Sequence, residues 1–487
     1  MEPSGEPSVI LWFRRNLRLS DNPAVTAAVS RPGPVIPVFL DEPNQTKDRA
    51  LGASSQWWLR RSLETLDTLL REKGSRLVVR RGKAEPELFR LVQETHACAV
   101  IWDRSYEPAA RKRDAQLASA LRKKGVAVET FNTALLVEPG DVVTRAGKPF
   151  RVFTPFWRAC LRSEQIAEPL LPPKTIPGPK VWPASDLRQR RCPAAPAVDG
   201  VLAATWTPGE LGAQERLAAF LEGPLAAYAI DRDRPDRAGT SQLSPHLHFG
   251  EVSPRQVWHA VQTQVAIASE KGIVAGGEAF PRQLYWREFA HHLLYHEPQT
   301  THEPLRPEFK AFPWRDDSKG LEAWRQGRTG YPYIDAGMRQ LASIGWMHNR
   351  VRMAVASFLV KDLLIPWQSG AKWFWEKLVD ADLPNNAFGW QWVAGCGADA
   401  APFFRVFNPV TQGEKFDPHG AYVRRWVPEL AGLPEKWVHK PWQAPEQVLE
   451  NAGSIDITLS DYDLSEMDVI SRMVTDYLDD DPVMWKT

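Results

Sequence analysis

The run Val9–Phe13 (VILWF), followed by Arg14–Arg18 (RRNLR), decides how the first part of the chain folds. Five consecutive apolar residues predict a strand that is buried on both faces, as at the centre of a parallel sheet. Four more β-rich runs follow, at Val35–Phe39, Leu77–Arg80, Ala99–Trp102 and Val126–Phe131. Patterns at helical spacing occur between them, in Ser54–Lys73, Pro86–Thr95 and Ala109–Lys124. This alternation predicts an α/β domain with a doubly wound, five-stranded parallel sheet.

The turn after the first strand, Arg14–Arg18, contains no glycine. A dinucleotide fingerprint needs glycines at this point so that the backbone can approach a pyrophosphate closely. We therefore do not expect this domain to bind a nicotinamide or flavin dinucleotide in the ordinary Rossmann manner.

Beyond this region the pattern changes to helices alone. Residues from about Pro172 to Pro196 are rich in proline and basic residues, which is typical of a long connector. From about Gly209 onward, helical spacing continues without strand alternation, in Leu211–Ala227, Ser253–Val265, Pro281–Tyr295 and Val351–Leu364. We predict an α/β domain in residues 1–135, a linker in 136–208, a large all-α domain in 209–452 and an acidic C-terminal tail in 453–487.

The charge is unevenly distributed along the chain. The net charge is +1, but nine acidic and two basic residues lie from Ser454 onward, so the preceding part carries about +8 (+1 minus −7). A mildly basic chain is compatible with a DNA-binding face. Four scattered cysteines, the lack of a basic apolar leader and the lack of a long apolar run indicate a reduced, intracellular protein. We expect it to be cytoplasmic.

Four stretches combine polar and aromatic residues. They are Gly239–Pro245 (GTSQLSP), Gln283–Phe289 (QLYWREF), Gly345–Met353 (GWMHNRVRM) and Asp380–Trp392 (DADLPNNAFGWQW). Hydroxyls and backbone N–H groups at a helix start can bind an anion, although an ordinary capped helix has the same pattern. The two middle stretches are also compatible with solvated helix faces. In the last stretch a buried Asp needs a cationic partner, for which Arg352 is the candidate.

With further motifs, these stretches resemble the photolyase/cryptochrome family. GTSxLSP, LxWREF, GWMHNRxRM, DxDLxxNNxxGWQW and RxFNPxxQGEKFD (Arg405–Asp417) occur in this order, after WFRRNLRLxDNPA and Phe153–Phe156 (FTPF). The resemblance covers roughly residues 8–450, and the chain looks most like cyclobutane pyrimidine dimer photolyases. It implies light-driven repair of UV-damaged DNA, with non-covalent FAD in the all-α domain.

The resemblance also implies which residues contact FAD. Its phosphates and adenosine side would be bound by Tyr228, Thr240, Ser241, Gln242, Leu243 and Ser244. Arg352 and Asp380 would form an ion pair beside the isoalloxazine, with Asp382 on the ribityl or ring side. Asn386 would face flavin N5, where a neutral amide accepts a hydrogen bond without offering an acidic proton. Relatives with Asp or Cys at that position are typically photoreceptors, so Asn favours repair.

The resemblance also implies that tryptophans take part in electron relay and in lesion binding. Three of them, in matching local contexts, would carry electrons from the surface to the flavin: Trp390 nearest the flavin, then Trp367, then Trp314. The lesion, flipped out of the duplex, would contact side chains at Gln283, Trp286, Asn349, Met353 and Trp392. The neighbouring phosphates would contact Arg287 and Arg350.

Two of the lesion residues point to different lesions. Dimer photolyases normally carry Glu at the position of Gln283, whereas Gln is usual in (6-4) photolyases. Those enzymes in turn carry a second His at the position of Asn349. We give Asn349 more weight and predict repair of cyclobutane dimers. A cryptochrome-type blue-light photoreceptor and, after it, a (6-4) photolyase are the alternatives.

The remaining expectations concern an antenna, metals and partners. Glu107 is a candidate pterin partner, with methenyltetrahydrofolate, a deazaflavin, another flavin or no antenna as alternatives. His292 and His296 have i, i+4 spacing but no evident third ligand, so we expect no metal site. We expect a monomer that acts on UV-damaged DNA without a membrane or an obligate protein partner. The acidic tail is compatible with a solvated helix, a signalling segment or an unrelated sequence.

Overall fold

The structure, a computed structural model, describes residues 7–42, 50–163, 166–186, 196–268, 270–400 and 405–452. These residues form two compact units. The first unit comprises the described residues within 1–229, 240–298 and 378–384, and the second those within 230–239, 299–377 and 385–487. The domain boundaries predicted above stay predictions, because the units group residues by packing and not by chain order. The predicted acidic tail, 453–487, lies outside the described residues.

The first unit contains the predicted five-stranded parallel sheet. Its strands are β1 (Ser8–Phe13), β2 (Val35–Asp41), β3 (Val78–Arg81), β4 (Ala97–Asp103) and β5 (Ala127–Phe131). They pair in parallel in the order β3-β2-β1-β4-β5. Val9 lies opposite Val35 on one side and Ala99 on the other, which places β1 at the centre. All of β1 is buried, which accounts for its continuous apolar run.

Helices account for most of the other regular structure in the described part of the chain. In the α/β region they are α1 (Pro23–Val29), α2 (Ala53–Glu72), α3 (Ala84–Thr95) and α4 (Pro108–Lys123). The following helices are α5 (Phe153–Ser163), α6 (Pro196–Thr205), α7 (Glu210–Glu222), α8 (Pro224–Asp231), α9 (Ser244–Phe249), α10 (Pro254–Ile267), α11 (Lys271–Ala279), α12 (Pro281–His296), α13 (Ser318–Gln326), α14 (Pro332–Ile344), α15 (Asn349–Ser357), α16 (Trp367–Lys377), α17 (Leu383–Ala394), α18 (Pro409–Phe416), α19 (Ala421–Trp426) and α20 (Glu446–Asn451). None of the helices in the described ranges combines the length and the apolar character that a membrane span requires.

Local sequence explains where several of these helices begin. Asn22 caps α1 by accepting a hydrogen bond from the Val25 amide, and Pro23 follows at the first helical position. Ser253 and Gln256 form a reciprocal capping box at the start of α10. Caps of this kind stabilise a helix by about 0.5–2 kcal/mol.

Two of the predicted helices are each divided in the structure. The predicted helix Leu211–Ala227 is α7 and α8, because the Gly223-Pro224 pair interrupts the helical hydrogen bonding. The predicted helix Val351–Leu364 is α15 followed by a π-helical turn at Phe358–Asp362. Four consecutive residues of this turn, Phe358–Lys361, are buried, and a run without a period does not distinguish an α turn from a π turn.

The glycine-free turn after β1 is fixed by a buried arginine. The Arg18 guanidinium donates to four backbone carbonyls, among them those of Thr133 and Gly250. Burial lowers the pKa of Arg18 to about 10. Gly250 has a φ of +67°, and a Cβ there would lie 2.0 Å from the Arg15 carbonyl oxygen, so the close approach requires glycine. Through these hydrogen bonds, the turn after β1 packs against the end of α9.

Candidate functional site

The residues predicted to bind the FAD phosphates, Thr240–Ser244, lie in the first unit, where they form a turn and the first residue of α9. Leu243 stands at the cap position with helical φ and ψ, and the cap has no side-chain hydrogen bond. Gln242 has a φ of +51°, a left-handed conformation that costs roughly 1–3 kcal/mol for a non-glycine residue. Its Oε1 accepts a 2.6 Å hydrogen bond from Nη1 of Arg216. Among the hydroxyls of this turn, the Oγ of Ser241 accepts a 3.4 Å hydrogen bond from the Leu243 amide.

Tyr228, the remaining residue predicted on the adenosine side, is fixed by aromatic packing. It lies on α8 and is buried. Its ring packs edge-on against Phe220, with centroids 5.7 Å apart, and against Phe280 at 5.2 Å. The position of the ring is thus set by the core of the first unit.

Asp380 and Asp382 lie in the segment 378–384, also in the first unit, and both are buried. Oδ2 of Asp382 accepts a hydrogen bond from Nδ1 of His248 at 3.2 Å. Burial on its own raises the pKa of the Asp382 carboxyl, but this bond and the nearby His291 and Arg287 hold that pKa well below its usual range. Asp382 is therefore an anion.

His248 is a buried residue of this cluster that the sequence analysis did not single out. Burial and the charge of Arg15 lower the pKa of His248, so the ring is neutral and carries its proton on Nδ1, towards Asp382. Its Nε2 is buried and has no partner among the described residues, so it presents a lone pair. Buried polar atoms without partners are rare, and they mark places where a ligand or water completes the bonding.

Helix α12 brings Gln283, Trp286 and Arg287 onto one face, since they are spaced i, i+3 and i+4. Gln283 and Trp286 are half-buried. The Trp286 ring stacks on Phe153, with centroids 3.6 Å apart and an angle of 8° between the planes. One face of this indole is therefore covered by the protein itself, and its predicted stacking on the lesion stays a prediction for the remaining surface.

The two charged residues of the same motif bind the protein's own backbone. Arg287 is 12% exposed, and its Nη1 donates to the Ala134 carbonyl at 2.7 Å. Oε2 of Glu288 accepts from the amides of Leu136 and Val137, at 3.0 and 3.2 Å. Burial raises the pKa of Glu288 to about 7. For Arg287 this geometry favours an internal structural role over the predicted contact with a phosphate.

His292 and His296 are occupied by the backbone. Nδ1 of His292 donates to the Pro139 carbonyl at 3.1 Å, and its Nε2 accepts from the Phe150 amide at 3.1 Å. Nε2 of His296 bonds the same Pro139 carbonyl at 3.0 Å. No group of three His, Cys, Asp or Glu residues suited to a metal ion occurs in the described ranges.

Glu107, the candidate antenna residue, lies just before α4. Its Oε1 forms a 2.7 Å ion pair with Nη1 of Arg15, from the turn after β1. Both side chains are partly exposed. Glu107 thus lies where the carboxyl ends of β1 and β4 meet, the place where ligands bind in open α/β sheets.

In the second unit, α15 carries four of the predicted site residues. His348 caps this helix by accepting a hydrogen bond from the Arg350 amide through Nδ1, at 3.2 Å. Asn349 is exposed and Met353 is half-buried. Because they are four residues apart, they share one helix face, as lesion contacts would require.

The two arginines of α15 have different partners. Nη2 of Arg350 donates to Oδ1 of Asp233 at 2.8 Å, and its guanidinium lies 4.5 Å from the Phe416 ring centroid. Nε of Arg352 donates to the Met347 carbonyl at 2.8 Å. Arg352 and Asp380 belong to different units, and their ion pair stays a prediction.

Helix α17 fixes both Asn386 and Trp390, which are four residues apart on one face. Nδ2 of Asn386 donates to the Ala371 carbonyl at 2.9 Å. Since a carbonyl only accepts, the amide orientation is determined, and Oδ1 is left as an acceptor on the opposite side. Trp390 is 3% exposed, and a Cβ on Gly370 would lie 2.1 Å from its ring, so glycine is required beneath it. The Trp390 Nε1 is buried without a partner among the described residues.

The other predicted tryptophans lie on neighbouring parts of the second unit. Trp367 is buried and begins α16, the helix that supplies the Gly370 contact of Trp390. The segment of Trp314 is joined to the loop before Trp367 by a 2.8 Å hydrogen bond from the Arg315 amide to the Leu364 carbonyl. Trp392 is half-buried, with its ring 6.5 Å from that of Phe407.

The structure also reveals residues that the motifs did not indicate. Arg216 contacts Gln242 from 26 residues earlier in the chain, and His248 contacts Asp382 from 134 residues away. Trp324 is fully buried, with its ring centroid 6.2 Å from that of Trp390. Only the position of His248, one turn after Ser244 on α9, gives a hint in the sequence. The other two contacts are long-range and have no local signal.

Comparison with known proteins identifies the relatives of this chain. Residues 9–177 match the DNA photolyase family, and residues 280–468 match the family described as the FAD binding domain of DNA photolyase. The chain is 48% identical to a deoxyribodipyrimidine photo-lyase of Agrobacterium fabrum, over 91% of this chain and 92% of the relative. It is 43% identical to cryptochrome-1 of Arabidopsis thaliana, over 91% of this chain and 66% of the relative.

The solved structures agree in fold. The crystal structure of a bacterial class III photolyase from Agrobacterium tumefaciens superposes with a TM-score of 0.89 at 45% identity, covering 98% of this chain and 99% of that one. The α/β sheet followed by a helical FAD-binding region is therefore the architecture of these relatives as well. The chain belongs to the DNA photolyase family.

Proposed function

We propose that this protein repairs cyclobutane pyrimidine dimers in DNA with light, as a deoxyribodipyrimidine photo-lyase. When bound and reduced, FAD would donate an electron to the dimer on excitation, and the electron would return to the flavin after the ring has opened, so that no net redox change occurs. The observation that carries the proposal is the orientation of Asn386, whose Nδ2 donates to the Ala371 carbonyl. Its Oδ1 can accept a hydrogen bond from flavin N5, and a neutral amide offers no acidic proton there.

In the first unit, the proposed cofactor contacts include the turn before α9. Thr240, Ser241 and Ser244 are proposed to donate to the phosphates, with Leu243 beside them and Tyr228 on the adenosine side. The Ser241 hydroxyl suits this role because its Oγ accepts a bond from the Leu243 amide, which leaves its O–H group able to donate. Asp380 and the anionic Asp382 are proposed to contact the ring and the ribityl chain, and in the second unit Arg352 is proposed to balance the charge of Asp380.

Trp390, Trp367 and Trp314 are proposed to conduct electrons to the oxidised cofactor, so that it can be reduced by light. Trp390 fits the position nearest the flavin because it shares a helix face with Asn386. Its ring is fixed by Phe374, with centroids 5.0 Å apart, and by the absence of a side chain at Gly370. A rigid indole keeps the donor distance constant.

The lesion is proposed to contact Gln283, Trp286, Asn349, Met353 and Trp392. Asn349 and Met353 share a face of α15, and Gln283 and Trp286 share a face of α12, which supports two sets of contacts. Arg350 is proposed to contact a phosphate, and Arg287 is proposed to act chiefly by fixing residues 134–137.

We further propose that the protein works in the cytoplasm as a monomer without an obligate protein partner. An antenna such as methenyltetrahydrofolate or a deazaflavin stays a prediction, and the Glu107–Arg15 pair is the place to test for it. The domain division predicted from the sequence likewise stays a prediction.

The test is direct. The purified protein, reduced and carrying FAD, is illuminated with oligothymidylate that contains cyclobutane dimers. We expect the dimers to disappear in the light and to persist in the dark, while an oligonucleotide with a (6-4) photoproduct stays unchanged. Protein that binds FAD and leaves the dimers intact under light would contradict the proposal.

A photoreceptor is the second candidate, supported by the 43% identity to cryptochrome-1 of Arabidopsis thaliana. It predicts that the protein binds FAD and changes its absorbance in blue light without repairing either lesion. The same illumination experiment therefore separates the two candidates.

A further inference from the structure

Arg216 lies beside the turn that is proposed to bind the FAD phosphates. It is carried by α7, and its guanidinium lies 5.1 Å from the ring centroid of Trp206. Nη1 donates to Oε1 of Gln242 at 2.6 Å. Gln242 has a left-handed backbone, and this bond joins its side chain to the guanidinium.

Among the described residues, Arg216 has no counter-ion. Burial lowers its pKa, and no carboxylate in the described part of the chain pairs with it. By contrast, Arg255 in the same unit forms a 2.7 Å ion pair with Asp21. A half-buried cation without a counter-ion is unfavourable, and a bound anion relieves that cost.

The Arg216 guanidinium also has N–H donors that make no hydrogen bond to the described residues. It carries five N–H groups, and the described residues use one of them in a hydrogen bond. None of its nitrogens is both buried and without a partner, so the remaining donors reach solvent. A planar fork of this kind matches phosphate oxygens, which it can bind through two parallel hydrogen bonds.

We propose that Arg216 binds the diphosphate of FAD, and that Gln242 holds its guanidinium against the phosphate-binding turn. The inference rests on the proposed use of FAD and names the cation that the turn itself lacks. Thr240, Ser241 and Ser244 offer only neutral donors, so the two negative charges of the diphosphate would otherwise have no counter-ion from the turn.

The test measures FAD dissociation from the full-length holoprotein. Free FAD is quantified by its fluorescence as the protein is diluted, at low and at high NaCl. Arg216→Gln is expected to raise the dissociation constant about ten- to a hundredfold, the value of a charge-assisted hydrogen bond to a buried group. It is also expected to remove most of the salt dependence, because the screened charge is gone.

Three variants separate charge from structure. Arg216→Lys keeps the charge and is expected to restore the salt dependence and part of the affinity. Gln242→Gly suits the left-handed backbone and leaves the cation in place, so its salt dependence is expected to persist. Arg60→Gln removes a cation from an exposed i, i+4 pair with Glu64 and is expected to behave like wild type.

Two results overturn the inference. One is a dissociation constant of Arg216→Gln within about twofold of wild type, which is below the smallest effect of a charge-assisted bond. The other is equal weakening by Arg216→Gln and Arg216→Lys with unchanged salt dependence, which assigns Arg216 to the fold of the turn. If Arg216→Gln does not fold, as judged by circular dichroism, Arg216→Lys and Gln242→Gly decide. Wild-type protein that binds no FAD contradicts the proposed function instead.

Discussion

Helices α12 and α17 both carry motifs with several aromatic residues, and they use their polar side chains in opposite ways. In α12, Arg287 and Glu288 are directed at the backbone of residues 134–137. In α17, Asn386 donates one N–H to a carbonyl, and its Oδ1 remains an acceptor. The Trp390 Nε1 has no hydrogen-bond partner among the described residues. A polar side chain in a motif can bind a ligand only through donors and acceptors that are not already hydrogen-bonded to the protein backbone.

The largest expected effect is at Trp390. Trp390→Phe keeps an aromatic ring against Phe374 but removes the oxidisable indole. We expect blue light with a thiol to lose most of its ability to reduce the bound, oxidised FAD. Repair after chemical reduction should survive, because the relay is not the route to the lesion. Flavin absorbance under illumination and a dimer repair assay measure the two outcomes.

Trp324→Phe is the matched control, since that ring lies 6.2 Å from Trp390 but has no place in the proposed relay. It should photoreduce nearly as wild type does. Wild-type photoreduction in Trp390→Phe would mean that another path carries the electron.

Glu288 is expected to make stability depend on pH. Burial raises its pKa from 4.5 to about 7 in the folded protein, so the folded carboxyl keeps a proton that the unfolded chain has lost. Wild type should therefore lose about 2–4 kcal/mol of unfolding free energy, relative to Glu288→Gln, as pH rises from about 4.5 to about 7. Urea unfolding of both proteins across this range measures the difference. If the stabilities of the two proteins change in parallel with pH, Glu288 is ionised in the folded state and solvent reaches its carboxyl on α12.

Arg287 and Arg350 provide a direct comparison of internal and external arginines. Arg287→Met leaves the Ala134 carbonyl without its donor, which should lower the free energy of unfolding by about 1–3 kcal/mol. Arg350→Met breaks a partly exposed pair with Asp233, which should cost less than about 1 kcal/mol.

Binding to dimer-containing DNA should show the reverse order. Arg350→Met is expected to reduce the salt slope of binding by about one, as for the loss of one phosphate contact, and Arg287→Met to leave it nearly unchanged. If Arg287→Met has wild-type stability but a reduced salt slope of DNA binding, Arg287 contacts DNA after all.

The smallest effect is expected at Gln283, which shares its helix face with Trp286. Gln283→Glu should leave binding intact and raise dimer repair modestly. A hydrogen bond to a charged group contributes about 1.5–3 kcal/mol against about 0.5–1.5 for a neutral one, and desolvation of the carboxylate offsets part of the gain. Asn349→Ala should lower dimer affinity without changing the flavin content. If the wild type repairs only (6-4) lesions and Gln283→Glu abolishes that repair, then Gln283 and not Asn349 determines which lesion is repaired.

The strands were predictable to within a few residues at their ends. The run Val9–Phe13 became β1 at Ser8–Phe13, because a strand buried on both faces must be apolar throughout. Helix type was less accessible, as the π-helical turn after α15 shows. The residues there are buried consecutively, so their pattern has no period that would indicate the hydrogen-bond register.

Composition and local order within the chain were enough to indicate the α/β sheet, the helical region and the family, since each depends on residues close together in the sequence. The partners of individual side chains depend on contacts across long separations. Arg287 binds a carbonyl 153 residues away, Arg216 an amide 26 residues away and His248 a carboxylate 134 residues away. No local pattern encodes such pairs, because they form only when packing brings distant backbone and side chains together and desolvates them. The motifs therefore identify the residue types of the site, and folding determines which of them keep a free donor or acceptor.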